Sequence, residues 1–304
     1  MDAAKAVVGV VIVSYFPDEA NLVRLASVLG SQAACVLVVD NTPGGHAFSA
    51  DAAARLNLLP LGENKGIAEA FNIGIARLLE QGCDYILLSD QDSLPQDSMV
   101  AGLLHAHQTL QAGGVKVAAV GAEYIDPRNG RAQGFPRVHW RGIRVSHDAD
   151  ATGFVPCTFL ISSGCLIARD TLQALGLMES GLFIDTVDME WCYRAAAKGH
   201  LSYGVPGACM AHTIGDHTVD FWFLGQRCNP VHSPFRVYFQ FRNFMALLAR
   251  TYIPFDCKIW LIQNRLVLAY MYLFIVPAPK RPYIRSMVRG LWHGLLGRKG
   301  GLAA

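Results

Sequence analysis

"YILLSDQDSLPQ", Tyr85 to Gln96, is the stretch whose reading decides the fold. Its apolar run, Tyr85-Ile86-Leu87-Leu88, stops at two acids one residue apart, Asp90 and Asp92. A short continuous apolar run bounded by polar residues reads as a strand buried on both faces. Two carboxylates that close raise each other's pKa, so the pattern calls for positive charge between them.

Working outward, the same punctuation repeats. Val7 to Ser14 is a β-branched run, and "CVLVVDN" (35–41) is a second buried strand that ends in an acid, Asp40. "LNLLPLGENKG" gives a third short strand, and "VKVAAVGAEY" (115–124) follows the Asp90 strand as a fifth. Between them, apolar residues at helical spacing predict helices over 18–30, over "GIAEAFNIGIARLLEQG" closed by Gly82, and over 96–112. Strands alternating with helices predict an α/β fold, a parallel sheet covered on both faces. Residues 125–156 lose this rhythm and read as a long loop or hairpin beside the site. "TFLISSGCLIARDTLQALG" is then strand and helix, "VDMEWCYRAAAKG" a helix, and "ACMAH" a final short strand.

From about Ser233 the composition changes to three proline-punctuated helices rich in aromatics and arginines, so the domains expected are 1–232 and 233–304. The charge-free stretch Leu266 to Ala278 has 13 residues, and a membrane span needs about 20. These helices therefore suit lying on a bilayer, packing as a cap, or forming a homo-oligomer interface. With 52% hydrophobic and 16% charged residues the chain can bury a large core. A net charge of +2 gives no argument for nucleic acid. The eight cysteines lack any C-x-x-C spacing and read as reduced core thiols. With no targeting segment read at the N-terminus, the expected location is cytoplasmic, peripheral to the inner membrane.

In open α/β sheets ligands bind beyond the C-terminal ends of the strands. Ser14-Tyr15, Asp40-Asn41, Asp90/Asp92 and His212 all fall at such ends, which predicts a nucleotide site with Mg²⁺ or Mn²⁺ on hard carboxylate oxygens. Downstream, "DTVDMEW" places Asp185, Asp188 and Glu190 within six residues. Asp185 and Asp188 share a helix face if the helix already runs there, and Glu190 and Arg194 suit an i, i+4 pair. Trp191 and Trp222 are candidates for stacking on sugar, with core packing the simpler role for Trp191. His105 and His107 read as surface residues on two faces of one helix.

Taken together, "VVIVSYFPD" (10–18), "VLVVDN" (36–41), "ENKGIAEAFNIG" (63–74), "ILLSDQDS" (86–93), "SSGCLIAR" (162–169), "FIDTVDMEWCYRAAAKG" (183–199) and "AHTIGD" (211–216) resemble, in order, a family 2 inverting glycosyltransferase of the GT-A fold. With "RVYFQFRN" (236–243) and "RGLWHGLLGRKGG" (289–301), the chain is similar within that family to bacterial rhamnosyltransferases. The resemblance implies that Ser14 and Tyr15 line the nucleobase pocket and that Asp40 accepts from the base. It implies that Asn64, Lys65 and Gly66 open the helix over base and ribose, and that Asp90 and Gln91 lie on the nucleotide side. Asp92 would ligate the metal, with Asp90 and His212 as further ligands. Asp188 aligns with the general base, Asp185 and Glu190 being the other candidates. Val187 stands where the family often has an acid.

The implied function is transfer of L-rhamnose, or a related deoxysugar, from dTDP-L-rhamnose to a lipid-linked oligosaccharide such as an O-antigen precursor at the cytoplasmic membrane surface. One alternative is a sugar nucleotidyltransferase, although "SYFPDEAN" stands where such enzymes carry a Gly-rich basic loop. The other is a non-catalytic, membrane-bound glycan-binding subunit.

Overall fold

The structure, a computed structural model, describes residues 6–127, 130–211 and 217–302. The first half alternates as the sequence predicts. Strand β1 (Val8–Ser14) leads to α1 (Glu19–Gly30), β2 (Cys35–Asp40), a short α2 (Ala50–Arg55), β3 (Leu58–Pro60) and α3 (Ile67–Glu80). Next come β4 (Tyr85–Asp90), the two-residue β5 (Leu94–Pro95), α4 (Met99–Ala112) and β6 (Val117–Asp126). Asp18 caps α1 by accepting the Asn21 N–H at 3.0 Å. Gly82, at φ +90°, lets the chain leave α3.

Beyond β6 lie β7 (Arg131–Ala132), the hairpin β8 (Phe135–His139) and β9 (Gly142–Ser146), then β10 (Val155–Cys157) and β11 (Cys165–Ala168). Helices α5 (Arg169–Leu175) and α6 (Val187–Ala197) bracket the acidic segment, and β12 (Leu201–Ala211) follows. A second hairpin, β13 (His217–Trp222) with β14 (Gln226–Val231), leads to α7 (Pro234–Leu248), α8 (Phe255–Tyr270) and α9 (Arg281–Leu295).

The main sheet runs β10-β12-β6-β11-β4-β1-β2-β3. Six of these strands share one direction, the mostly parallel sheet expected of the GT-A fold, while β11 is antiparallel to both its neighbours, β4 and β6, and β10 is antiparallel to β12. The reason is topological. The crossover from β4 through α4 to β6 leaves a gap, and the chain fills it by entering from the C-terminal edge at Gly164 (φ +75°), whose N–H bonds to Leu88 O at 2.9 Å. The expected short strand at "ACMAH" is instead the end of an eleven-residue strand with a bulge between Val205 and Cys209. The β13–β14 hairpin had no counterpart in the sequence reading. His107 is also corrected, since it is buried against the Tyr85 ring.

Side chains of β1 alternate between two cores. Val11 and Val13 face one with Phe71, Ile75 and Leu78 of α3, and Val8, Val10 and Ile12 face the other with Leu22, Leu25 and Leu29 of α1. Phe244 and Leu247 of α7 and Trp260 and Leu261 of α8 join the α3-side core, so helices beyond the expected 232/233 boundary pack directly onto the sheet domain. Helix α9 lies on α7 at glycines: a Cβ on Gly290 would sit 2.5 Å from Tyr238 O, and one on Gly294 2.6 Å from Arg242 O. Among the described residues, no helix is long and apolar enough to cross a membrane.

Close approach of α3 to the sheet depends on Gly74, where a Cβ would lie 2.4 Å from Val11 Cγ1 and 3.1 Å from Val39 Cγ2. Alanine gains up to about 1 kcal/mol of helix propensity over glycine, but the clash is with stiff β-branched side chains on buried strands. Overpacking should win, so Gly74→Ala is expected to lose about 1–3 kcal/mol in urea denaturation. A stability equal to or above wild type would contradict this packing.

Candidate active site

Strand register brings the acids together. Ser14 of β1 pairs opposite Asp40 of β2, and Val13 opposite Asp90 of β4, so three C-terminal strand ends form one edge. Gln91, between the two acids, ties this edge: its Oε1 accepts the Tyr15 N–H at 2.7 Å and its Nε2 donates to Tyr15 O at 3.1 Å. Asp90 is then half-buried and Asp92 exposed, as residues two apart across a turn. Ser163 Oγ accepts the Asp90 N–H at 3.1 Å and contacts Ser93 Oγ at 2.6 Å.

Several residues expected on the nucleotide organise the loops that would surround it. Asp40 is only 1% exposed, and its oxygens accept the N–H groups of Thr42 at 3.1 Å and His46 at 2.7 Å. A ligand donor reaching Asp40 would have to use the remaining lone pairs of oxygens already bonded to the loop. Asn41 and Asn64 lock together at 3.1 Å, and they accept the N–H groups of Lys65 at 2.8 Å and Gly66 at 3.0 Å. Lys65 Nζ pairs with Glu63. By contrast, Tyr15 is exposed, and Ser14 Oγ is buried without a hydrogen-bond partner.

The three downstream acids separate by environment. Asp185 stands ahead of α6 at φ +63°, off the helix, and so does not share a helix face with Asp188. It takes a forked pair from Arg236, Nη2 to Oδ1 at 2.6 Å and Nε to Oδ2 at 3.3 Å. Glu190 is fully buried and accepts from Arg194 Nε at 2.9 Å and from the Tyr252 hydroxyl at 2.6 Å, tying α6 to the α7–α8 loop. Asp188 alone of the three has no ion pair among the described residues; its Oδ1 accepts only the Met189 N–H, at 2.8 Å. Burial drives the Asp188 carboxyl up to about 6, against the Met189 N–H and with help from the Asp90 and Asp185 charges. Burial and then Asp92 push Asp90 up to about 7, with Arg236 opposing. Trp191 is core, its Nε1 donating to Gly176 O at 2.9 Å, and Trp222 is exposed on the β13–β14 hairpin.

These features fit a divalent cation. Asp90 Oδ1 is buried without a hydrogen-bond partner, and hard oxygens two residues apart suit Mg²⁺ or Mn²⁺. Among the described residues no three His, Cys, Asp or Glu side chains form a complete metal set. His212, the expected third ligand, lies outside the described residues.

Arg236, Arg242 and Asn243 of α7 escaped the sequence reading as site residues. Their signal was present in "RVYFQFRN", where charged and amide residues interrupt an aromatic helix that ought to be uniformly apolar where it is buried. Three non-glycine residues in the segment they touch, Phe183, Asp185 and Thr186, have φ of +63° to +64°. Each such conformation costs of order 1–3 kcal/mol and persists only where surrounding contacts impose it.

Comparisons with known proteins bear on the fold and the family. The chain is 30% identical over 296 residues, 96% of each chain, to the dTDP-rhamnosyl transferase RfbF of Shigella flexneri. Among solved structures, TarS 1-349 of S. aureus in complex with UDP is similar at TM-score 0.57 and 13% identity, over 93% of this chain and 80% of that one. GalNAc-T7 with UDP, GalNAc and Mn²⁺ is similar at TM-score 0.55 and 13% identity, over 90% of this chain, which spans 57% of that structure. Both likenesses bear on the fold, a mixed α/β sheet of the GT-A kind. Residues 10–176 match the glycosyl transferase family 2 model, more than half of the chain, and this protein is a glycosyltransferase belonging to that family.

Proposed function

We propose that the chain transfers L-rhamnose, or a related deoxysugar, from a dTDP-sugar to a lipid-linked glycan, inverting the anomeric carbon, with Mg²⁺ or Mn²⁺ bound. The S. flexneri relative supports the donor, because the alignment runs along nearly the whole of both chains. The observation that carries the chemistry is Asp188, a half-buried carboxylate without an ion pair among the described residues, beside Asp90 and raised to about 6. A base poised near neutral pH is what removal of a hydroxyl proton needs. That disfavours a non-catalytic binding subunit, and family membership disfavours the nucleotidyltransferase.

Each residue then has a task. Ser14 and Tyr15 take the base, with Asp40 behind them, and the Lys65–Gly66 turn closes over the ribose. Asp90 and Asp92, with His212, would hold the divalent ion, which when bound offsets charge on the departing diphosphate. Asp188 accepts the proton of the acceptor hydroxyl as that oxygen bonds to the anomeric carbon from the side opposite dTDP. The bond from that carbon to the phosphate oxygen breaks, and both its electrons leave with dTDP. Arg236 keeps Asp185 paired and so leaves the base role to Asp188. Asp188→Asn should lower transfer from dTDP-L-rhamnose by about 10²- to 10⁴-fold with dTDP affinity unchanged. Asp188 works only when deprotonated, so the wild-type rate should rise as pH passes about 6 and level off above it. Near-full activity in Asp188→Asn would return the base role to another group.

The acceptor side of the proposal rests on α9. Ile284, Val288, Trp292 and Leu295 form an outward apolar row, Val288 and Trp292 being 62% and 60% exposed. After Asp256 the chain carries no acid but eight Lys and Arg residues, which suits an anionic bilayer surface. Each basic residue near such a surface contributes on the order of 1 kcal/mol, screened by salt. The protein should therefore sediment with anionic liposomes more than with neutral ones, and salt should release part of it. Replacing Arg281 and Arg285 by Ser should weaken binding without altering dTDP affinity; Arg289 is a poorer probe because it lies over the Tyr238 ring. Equal partitioning to both vesicle types would contradict the electrostatic part, and recovery only in the supernatant would leave α9 as a structural or oligomer surface.

A further inference from the structure

The segment that delivers Asp188 is held from outside its own element. Asn243, fully buried on α7, places its amide nitrogen 3.0 Å from Leu182 O, 2.8 Å from Ile184 O and 2.9 Å from Asp185 O. Its Oδ1 accepts from Arg242 Nε at 3.0 Å and Nη2 at 2.8 Å. The same guanidinium reaches Gly181 O at 3.0 Å and Leu182 O at 2.8 Å, and its Nη1 donates to Gly300 O. Two adjacent side chains thus engage the carbonyls of 181, 182, 184 and 185, the stretch that carries Phe183, Asp185 and Thr186 at positive φ.

The C-terminal tail completes the hold. Gly300 N–H donates to Gly181 O at 2.8 Å, Lys299 Nζ to Glu179 Oε1 at 3.0 Å, and a Cβ on Gly301 would lie 3.0 Å from the Phe183 ring. Phe183 in turn stacks on Phe239 of α7 at 4.9 Å and presses on Gly66, where a Cβ would fall 2.5 Å from its ring. The held segment therefore touches both the donor-side turn at Gly66 and the first turn of α6, where Asp188 is the second residue.

We propose that Arg242 and Asn243 are positioning residues for the transfer reaction: together with the tail 299–302 they impose the positive-φ backbone of Phe183, Asp185 and Thr186 and so fix the Asp188 carboxylate relative to the donor. Neither side chain touches the reacting atoms in this account. An ordinary structural contact would need one donor per buried carbonyl; here a fork and an amide converge on four carbonyls of a segment whose residues disfavour that conformation unaided. The inference rests on reading Asp188 as the base.

The test uses the full chain with Asn243→Ala and, as a second variant in case that one folds poorly, Arg242→Lys, whose single ammonium cannot reproduce the fork. Hydrolysis of dTDP-L-rhamnose with Mn²⁺, water taking the place of the acceptor hydroxyl and giving L-rhamnose and dTDP, supplies kcat and KM, calorimetry gives dTDP affinity, and hydrogen exchange follows 180–190. Both variants should lose kcat, about 100-fold for Asn243→Ala, with KM and dTDP affinity unchanged. Exchange should quicken in 181–189 and stay as in wild type across β1 and β4. A kcat close to wild type, a loss of dTDP affinity parallel to that of kcat, or exchange quickened evenly over the whole chain would overturn the proposal. If the wild-type protein hydrolyses no dTDP-L-rhamnose, exchange alone decides the clamp: local quickening supports it, and an unchanged 181–189 overturns it; failure to bind dTDP would overturn the donor reading separately.

Discussion

Crowding of like charge in a half-buried place is the constraint to which the rest of the structure answers. Burial drives both Asp90 and Asp188 upward; the Asp92 charge adds to the rise at Asp90, and the Asp90 and Asp185 charges add to the rise at Asp188. Carboxylates removed from water near one another are costly unless a cation sits among them. Arg236 neutralises one of them by its fork to Asp185. The remaining demand, at Asp90 Oδ1, is what a divalent ion would meet.

The cation comes from α7, beyond the alternating α/β segment, and that makes the C-terminal helices part of the centre. α7 contributes Arg236 to the acids and Arg242–Asn243 to the backbone before Asp188, and its far face carries α9 on glycine contacts. A surface helix suited to lipid is therefore two packing steps from the proposed base. The same arrangement separates the acids by contact: Glu190 fastens α6 to Arg194 and Tyr252, Asp185 fastens Arg236, and Asp188 is left without an ion pair among the described residues.

Much of this was legible beforehand because strand ends are written in local residues. The runs closing at Ser14, Asp40 and Asp90 specify both the element and the edge it reaches, and α1, α3 and α4 announce themselves by apolar spacing. What escaped is non-local. The direction of β11 follows from which gap is open when the chain returns, and nothing in "CLIA" encodes that. Spacing leaves open whether Asp185 lies on the helix or in a turn ahead of it, and α7 holds it outside the helix at positive φ. Gln91 and Asn64, expected on the nucleotide side, also bond loop to loop, and an amide serves either purpose equally well.

The central claim, that donor and metal meet at the ends of β1, β2 and β4 with Asp188 across from the leaving group, is tested most directly by a crystal structure of the protein with dTDP and Mn²⁺, the ion located by its anomalous scattering. The account predicts the manganese peak at bonding distance from an Asp92 carboxylate oxygen, the thymine beside Tyr15, and the Asp188 carboxylate facing the open side of the diphosphate. A manganese peak remote from Asp90 and Asp92, or a nucleotide seated away from these strand ends, would contradict it.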